Sequence, residues 1–369
     1  IMASKARQLA QSASAPEGRR NIVTNGAMQV AQRATSETST ATTDYLVDRF
    51  RSTNSGGRSL TYSQESDAPD GFANSLKIKV ASTFTTGATD LLGIGQIFEG
   101  QDVQHLKKGT SGALATTLSF HIKSNLTGNV VVELLDRDSA FRHIVALVNI
   151  SSANTWEYKT VTFPGDTSGA LDDDNAASFD FHIYFGAGSD FTSGTLATSW
   201  ASYVAGNRAA GLSLNSNNFG SSTDNFISIT GVQLEVGSVA TEFEHRSFAE
   251  ELALCQRYFI RFPSLSDAST FLYYNVGMIH DSTKSFHNIN LPVPMRTQPD
   301  LSISGTGDFT SVDSGTVRNL TNLTMIGDDF IDNKVVTLQG TGTFPNEDRP
   351  AALRGDGTSG GHFALDAEL

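Results

Sequence analysis

The chain has 369 residues, with 39 Asp or Glu against 26 Lys or Arg, which gives a formal net charge of −13. This acidic balance argues against a generic nucleic-acid-binding protein, which needs a basic face to neutralise phosphates. The single Cys excludes an intramolecular disulfide and a Cys-based zinc site. A chain of this length predicts two core-forming domains, at about 100–200 residues each.

The first 20 residues are predicted to form a segment of their own. Residues 4–11 could make a short helix, but an isolated helix needs about 12–15 residues to be stable in water, so a partner surface is expected to order it. Residues 12–20, with Pro16 and Gly18, are typical of a linker. Neither a secretory h-region nor an apolar stretch of about 18 residues is visible, so membrane insertion is not expected.

Residues 21–246 are predicted to be strands joined by turns. Apolar and polar residues alternate with a period of two, which marks strands with one buried face. The resulting fold class is all-β, a jelly-roll-like antiparallel β-sandwich. His121 and His182 alternate with the apolar positions and are predicted to face outwards. The clearest strands are 76–80, 118–122, 179–185 and 232–236, and shorter ones are 130–134, 144–150, 158–163 and 226–229.

A helix is predicted to link the two domains over residues 247–261. Ser247 and Glu250 have the spacing of a capping box. Apolar residues then follow at helical spacing, which predicts an amphipathic helix over 247–259 with Cys255 as a small buried residue. These apolar residues are Phe248, Leu252, Cys255 and Phe259.

Strands resume in a second, smaller β domain, residues 262–369. Pro292, Pro294 and Pro299 lie in its middle, so the strand that precedes them is expected either to be an edge strand or to end there. A thin core of this kind is often stabilised by self-association. The predicted strands are 271–279, 286–293, 301–304, 335–339 and 362–367.

Enzyme motifs give little support for catalysis. Residues 357–361 fit G-x-S-x-G, but their Gly-rich surroundings indicate a flexible loop rather than a nucleophile elbow. Glu133 lies close to Asp136 and Asp138, and this group is interpreted as a charged strand end. The run 172–174 of three Asp residues is interpreted as a solvated turn, with a calcium site as the alternative. We therefore expect a non-enzymatic protein without a cofactor, apart from that calcium alternative.

Two aromatic residues are candidates for contact with a glycan. Trp200 and Tyr203 lie in a Ser-, Thr- and Gly-rich region, where an exposed ring suggests stacking on a sugar. The alternative is that both rings pack beneath a long loop.

Three segments, in this order, resemble a family of bacteriophage virion proteins, which are usually tail-fibre or other appendage proteins. They are NIVTNGAMQVAQR (21–33), DYLVDRF (44–50), and GVQLEVG (231–237) continuing through ATEFEHRS (240–247) to LCQRYF (254–259). The start, MASKAR (2–7), is also similar to the start of such fibres. The chain departs from the pattern at Ala34, where Gly is expected, and at Glu242, where Pro is expected.

The resemblance implies a virion component that assembles as a homo-oligomer, with a trimer expected, and it assigns no catalytic residue. The segment 1–20 would dock the protein to other tail or head proteins, with Lys5, Arg7 and Leu9 as the docking residues. The region 21–246 is also similar to carbohydrate-binding sandwich modules, in which an Asn-Gly opening strand pairs near a closing strand such as 232–236. Host-surface glycan is therefore the expected partner.

Four functions follow from these observations. The first is a non-catalytic tail fibre that contacts host glycan, and a head-attached fibre or decoration protein is its close variant. A polysaccharide-depolymerising tailspike would need paired carboxylates in a cleft or a repeated β-helix. The fourth function is a cellular carbohydrate-binding or adhesion module, which would not be part of a virus particle.

Overall fold

A computed structural model describes most of the chain, namely residues 19–139, 141–262, 273–326, 333–345, 347–355 and 361–369. The proposed docking residues Lys5, Arg7 and Leu9, and most of the loop 357–361, lie outside this part. Residue contacts divide the chain into two compact units. One ends at Glu251, and the other runs from Leu252 to Glu368.

The first unit contains two six-stranded antiparallel sheets. Hydrogen bonding orders the first sheet β1-β3-β4-β12-β6-β9 and the second sheet β11-β8-β7-β10-β5-β2. The first sheet comprises β1 (Ser36–Ser39), β3 (Leu60–Glu65), β4 (Ser75–Val80), β12 (Phe226–Val236), β6 (Thr116–Ser124) and β9 (Glu157–Phe163). The second comprises β11 (Ala201–Ser202), β8 (Arg142–Ile150), β7 (Gly128–Asp136), β10 (Ala177–Ala187), β5 (Leu91–Glu99) and β2 (Arg51–Asn54).

One hydrophobic core lies between these two sheets and makes the unit a β-sandwich, which confirms the predicted fold class. Phe120 and Ile229 reach the core from the first sheet, and Phe181 and Ile183 reach it from the second. Each of these side chains is buried. Full burial of such a side chain is worth about 1.5–3 kcal/mol, so the period-two pattern also carries much of the stability.

The prediction missed five strands of this unit, namely β1, β2, β3, β5 and β11, and it divided β12 into two. β5 has no alternation, because it lies inside the second sheet and all its residues are buried. The predicted strands 226–229 and 232–236 form the single strand β12, with a register shift between Thr230 and Gln233. Gly231 lies in this bulge at a φ of +61°, and an added Cβ would lie 2.6 Å from the Phe72 ring. The bulge therefore requires glycine at this position.

The opening and closing segments of the first unit pair with each other, as the resemblance to carbohydrate-binding modules implied, but residues 21–28 contain a turn and do not form the implied strand. The backbone N–H of Ile22 donates to the carbonyl of Leu234 at 2.9 Å, and that of Val232 donates to the carbonyl of Gly26 at 2.9 Å. A Cβ on Gly26 would lie 2.1 Å from the Val232 oxygen. Glycine therefore permits this close approach of two backbones.

Part of each segment that carries the family resemblance lies in one buried corner of the sandwich. The Asn21 side chain accepts from the Leu234 N–H at 3.1 Å and donates to the Val232 carbonyl at 3.1 Å. The Asn25 amide donates to the Asp48 carbonyl at 2.9 Å. These side chains form hydrogen bonds with backbone groups that strand pairing leaves without a partner. The motifs therefore stabilise the fold of the sandwich.

The second unit is also antiparallel. It has a three-stranded sheet ordered β13-β22-β16 and a seven-stranded sheet ordered β18-β17-β21-β14-β15-β20-β19. Its core includes Phe309, Leu338 and Phe363. The strands are β13 (Phe259–Phe262), β14 (Tyr273–Ile279), β15 (Lys284–Asn290), β16 (Asp300–Ile303), β17 (Phe309–Asp313), β18 (Thr316–Asn319), β19 (Asn322–Met325), β20 (Val335–Thr341), β21 (Pro350–Gly355) and β22 (Phe363–Asp366).

The predicted linking helix is shorter than expected. Helix α3 covers Phe248–Gln256, after the short helices α1 (Gly100–Val103) and α2 (Ser189–Thr192). Its N-terminus is capped as predicted, since the Ser247 hydroxyl accepts from the Glu250 N–H at 3.3 Å.

The predicted apolar face of this helix is only partly correct. Cys255 is buried as predicted. Phe248, however, is 56% exposed. Phe259 begins strand β13 and pairs with Asp366, so strand pairing far along the chain overrides the helical spacing. Within the described part of the chain, every helix is too short or too polar to span a membrane.

Candidate functional site

The outer face of the second sheet carries an unusual set of polar side chains. On β10, Phe181 and Ile183 point into the core, so the alternate residues Asp180, His182 and Tyr184 lie on the opposite face. These three side chains are nevertheless buried. The outward orientation predicted for His182 is therefore correct, but other residues cover it from solvent.

Two glycines on β5 let the β10 rings lie flat on the sheet. Gly95 pairs with His182 and Gly93 with Tyr184. A Cβ on Gly95 would lie 2.8 Å from His182 Nδ1, and one on Gly93 would lie 2.6 Å from a Tyr184 ring carbon. The two rings stack at 5.4 Å with an interplanar angle of 10°. Because the two glycines have no side chains, the His182 and Tyr184 rings can lie close to the sheet, at the floor of a groove.

Glu133 is the centre of a buried polar network next to this floor. Its carboxylate contacts His143 Nδ1 at 2.7 Å and accepts from the Tyr184 hydroxyl at 2.8 Å and from Arg208 Nη2 at 2.7 Å. Burial favours the neutral acid, but the Arg208 guanidinium and the hydrogen bonds from His143 and Arg208 hold the pKa of Glu133 below its ordinary value. Glu133 was interpreted as part of a charged strand end, but it lies within β7 and is fully buried.

Asp180 forms a second buried ion pair. Its Oδ2 accepts from Arg137 Nε at 2.9 Å and Nη2 at 2.6 Å, and lies 3.1 Å from His182 Nε2. Burial again opposes the charge, but His182 and Arg137 outweigh it and lower the pKa of Asp180. Both carboxylates are thus held ionised and paired.

A groove of about 340 Å³ opens above this network. Arg51 and Thr53 line it from the edge strand β2, and Phe141 and Tyr203 line it near β8 and β11. Phe141 is 47% exposed and Tyr203 is 37% exposed. The remaining lining residues are Leu135, Arg137, His182 and Arg208.

The two exposed rings are held in place by their neighbours. The Phe141 and Tyr203 ring centroids are 6.3 Å apart at an interplanar angle of 61°. The Arg208 guanidinium lies 5.5 Å from the Tyr203 ring centroid, and His143 lies 5.7 Å from it. Tyr203 is therefore a supported ring, with its exposed part next to the groove.

The two predicted glycan-contact residues have different surroundings. Tyr203 lines the groove. The half-buried Trp200 packs 6.3 Å from the Phe179 ring, its indole N–H donates to the Pro164 carbonyl at 2.7 Å, and Lys108 Nζ lies 4.9 Å from its ring centroid. Trp200 thus contacts the core and the loop beside it, and it is not among the described residues that line the groove.

The three Asp residues at 172–174 lie in an exposed turn. The backbone carbonyl of Asp172 accepts from the Gln104 amide at 2.9 Å, and the Asp174 side chain accepts from the Ala176 N–H at 2.9 Å. Among the described residues, no group of three or more His, Cys, Asp or Glu side chains is arranged to hold a metal ion.

A larger and more open cleft, about 570 Å³, lies elsewhere on the first unit. Hydroxyl and amide side chains line it, including Thr85, Ser189 and Asn217. The described lining residues contain neither an aromatic ring nor a charge, which are the groups that orient ligands in most specific sites. The groove above Glu133 is therefore the stronger candidate.

The sequence pointed to Tyr203 but missed the charged part of the site. The alternation of Asp180, His182 and Tyr184 with apolar residues was the available signal, since three titratable residues share one strand face. Arg208 gave no signal, because it is 75 residues away from its partner Glu133 along the chain.

No family model matches this chain, and no curated protein matches its sequence. Solved structures with similar folds include the enzymatically active domain of tailspike protein 4 from bacteriophage CBA120, which is 12% identical with a TM-score of 0.30. That match covers 59% of this chain and 21% of the tailspike chain, so this chain spans about a fifth of it.

Carbohydrate-binding modules are also among these structures. The CBM22-1 xylan-binding domain of Paenibacillus barcinonensis Xyn10C is 9% identical and matches over 60% of this chain and 99% of its own, with a TM-score of 0.31. The family 11 module of Clostridium thermocellum Lic26A-Cel5E is 16% identical and matches over 54% and 91%, with a TM-score of 0.27.

Proposed function

We propose that the first unit binds a glycan, without cleaving it, in the groove above Glu133. The observation that carries the proposal is the pair of exposed rings, Phe141 and Tyr203, beside a floor of Arg and His side chains. A sugar presents C–H faces that pack on aromatic rings, and hydroxyl groups that exchange hydrogen bonds with charged side chains. The groove offers both kinds of contact side by side.

The state of the carboxylates supports a binding role rather than hydrolysis. Cleavage of a glycosidic bond needs a carboxylic acid with a raised pKa, which protonates the leaving oxygen. Glu133 and Asp180 have lowered pKa values, and each is paired with an arginine. The described residues that line the groove include no carboxylate.

The setting we propose is a bacteriophage particle, with the chain as a tail fibre that assembles with copies of itself, in a trimer, and docks through residues 1–20. The ordered resemblance of three segments to phage virion proteins supports this part of the proposal. A head-attached fibre is the close variant. Several copies on one particle would make weak single-site glycan contacts effective.

Location on the particle has a direct test. Antibody against the second unit, visualised by gold labelling of purified particles, is expected to mark the tail. Label on the head would favour the variant, and particles without label would contradict the virion role.

Removing both exposed rings tests the glycan site. The double variant Phe141→Ala, Tyr203→Ala is expected to lose about thirtyfold in affinity, since each of the two ring contacts contributes about 1 kcal/mol. The measurement is titration calorimetry with the oligosaccharide that binds best on an array of bacterial surface glycans.

The control is Tyr158→Ala, because Tyr158 is an exposed tyrosine on the first sheet, 51% exposed. It should bind like the unchanged protein. Equal affinity of the double variant would contradict the site. The appearance of reducing ends during incubation with the polysaccharide would instead favour the depolymerase.

A further inference from the structure

Arg51 is an unpaired cation in the groove. It lies on the edge strand β2, is partly exposed, and forms neither an ion pair nor a side-chain hydrogen bond with the described residues. Its strand neighbour is Gly95, so no side chain on β5 stands between Arg51 and the His182 ring. The guanidinium of Arg51 is therefore available to a ligand.

The charges of the other groove residues do not cancel this cation. Arg208 is paired with Glu133, and Arg137 is paired with Asp180. Three guanidinium groups against two carboxylates leave one positive charge, which belongs to Arg51. This local excess occurs in a chain whose formal net charge is −13.

The paired arginines also keep hydrogen-bonding capacity for a ligand. The bonds from Arg137 and Arg208 to the carboxylates use Nε and Nη2. The Nη1 groups form no bond with the described residues. Guanidinium groups are planar forks that match carboxylate and sulfate oxygens, and charge-assisted bonds of this kind are about twice as strong as neutral ones.

We propose that the groove selects an anionic sugar, one that carries a carboxylate or sulfate group, and that Arg51 binds this group. The inference rests on the proposed glycan site and specifies its ligand class. A neutral sugar would leave Arg51 without an anionic partner. An anionic sugar supplies the charge that the neighbouring acidic residues, which are already paired, do not.

The test uses an array of acidic oligosaccharides, each printed beside its own neutral form. Oligogalacturonates, oligoalginates and hyaluronan fragments are paired with their carboxyl-reduced forms, and carrageenan oligosaccharides with their desulfated forms. At least one acidic member is expected to bind about tenfold more tightly than its neutral form, with an affinity that falls as salt rises. The pair that responds distinguishes carboxylate from sulfate.

Variants assign the selectivity to Arg51. Arg51→Gln is expected to lose about tenfold in affinity for the acidic member and to bind its neutral form unchanged. Lys79→Gln, which removes an exposed cation from strand β4 of the first sheet, should keep the preference. Arg51→Lys, which keeps the charge and loses the fork, should fall between Arg51→Gln and the unchanged protein.

The outcomes separate this inference from the proposed function. Neutral forms that bind as tightly as acidic ones, and that need Tyr203, would overturn the anionic preference and leave the glycan site intact. Equal loss of both forms in Arg51→Gln would also overturn it. Binding of no oligosaccharide in either form would contradict the inference and the glycan site together.

Discussion

Replacing Glu133 with glutamine is expected to destabilise the first unit by about 3–5 kcal/mol at pH 7. The carboxylate is fully buried and is bonded to Arg208, His143 and Tyr184. Glutamine keeps one carbonyl acceptor but removes the negative charge, so the Arg208 guanidinium, which is itself mostly buried, loses its counter-charge. Breaking one side of a buried ion pair costs far more than losing an exposed one.

Tryptophan fluorescence during urea unfolding measures this change selectively, because both tryptophans, Trp156 and Trp200, lie in the first unit. The matched control is Glu250→Gln, since Glu250 is 46% exposed and pairs with Arg19 at 3.8 Å. It should cost less than about 1 kcal/mol. If the two variants unfold at the same urea concentration, the buried network is not a source of stability.

The Glu133 stabilisation should also disappear in acid. Its pKa is lowered in the folded protein from an ordinary value of 4.5. A carboxyl group with a depressed folded pKa stabilises the protein above its unfolded pKa, and this contribution is lost as the pH falls through the folded value. The difference between the unchanged protein and Glu133→Gln should therefore persist at pH 5 and shrink well below pH 4.

The second unit is expected to lose about 2–3 kcal/mol of stability between pH 7 and pH 4.5, because His287 is buried in its neutral form. Burial lowers the pKa of His287 from 6.5 to about 4. A Cβ on Gly277 would lie 2.8 Å from Nδ1 of this ring, and Nε2 contacts the Ser285 hydroxyl at 3.1 Å. Below pH 6.5 the histidine is protonated in the unfolded chain but stays neutral in the folded unit. The free energy of unfolding therefore decreases as the pH is lowered to about 4.

Calorimetric unfolding at both pH values tests this, with tryptophan fluorescence recorded in parallel to assign the transition of the first unit. His287→Gln removes the titrating group, so its second-unit transition should depend less on pH, whatever its stability at pH 7. The control Asn290→Ser changes an exposed residue on the same strand and should keep the full dependence. The same pH dependence in His287→Gln would assign the acid sensitivity to other groups.

Sequence periodicity was sufficient to predict the sandwich wherever one face of a strand is buried. Residues 179–185 and 118–122 alternate, and they lie within β10 and β6. The same reasoning missed β5, whose two faces are both covered, because burial on both sides removes the alternation. It also extended helix α3 to Phe259, where pairing with Asp366 forms a strand instead.

The groove could be predicted only in part. Tyr203 was identified because an aromatic residue in a polar loop region suggests exposure. Glu133 was interpreted as part of a charged strand end, because nothing near it in the sequence indicates that it pairs with Arg208. Which carboxylates are paired, and which cation is left over, depends on contacts between residues that are distant along the chain.

The sequence by itself determined the all-β class and the face of each alternating strand that meets the core, because a strand turns successive side chains to opposite sides. The tertiary structure alone decided what lies on the other face of the second sheet. There, residues from distant segments bury Glu133 and Asp180, leave Arg51 unpaired and hold Tyr203 at the rim. Local periodicity cannot specify these contacts, because they depend on which strands become neighbours and which loops fold over them.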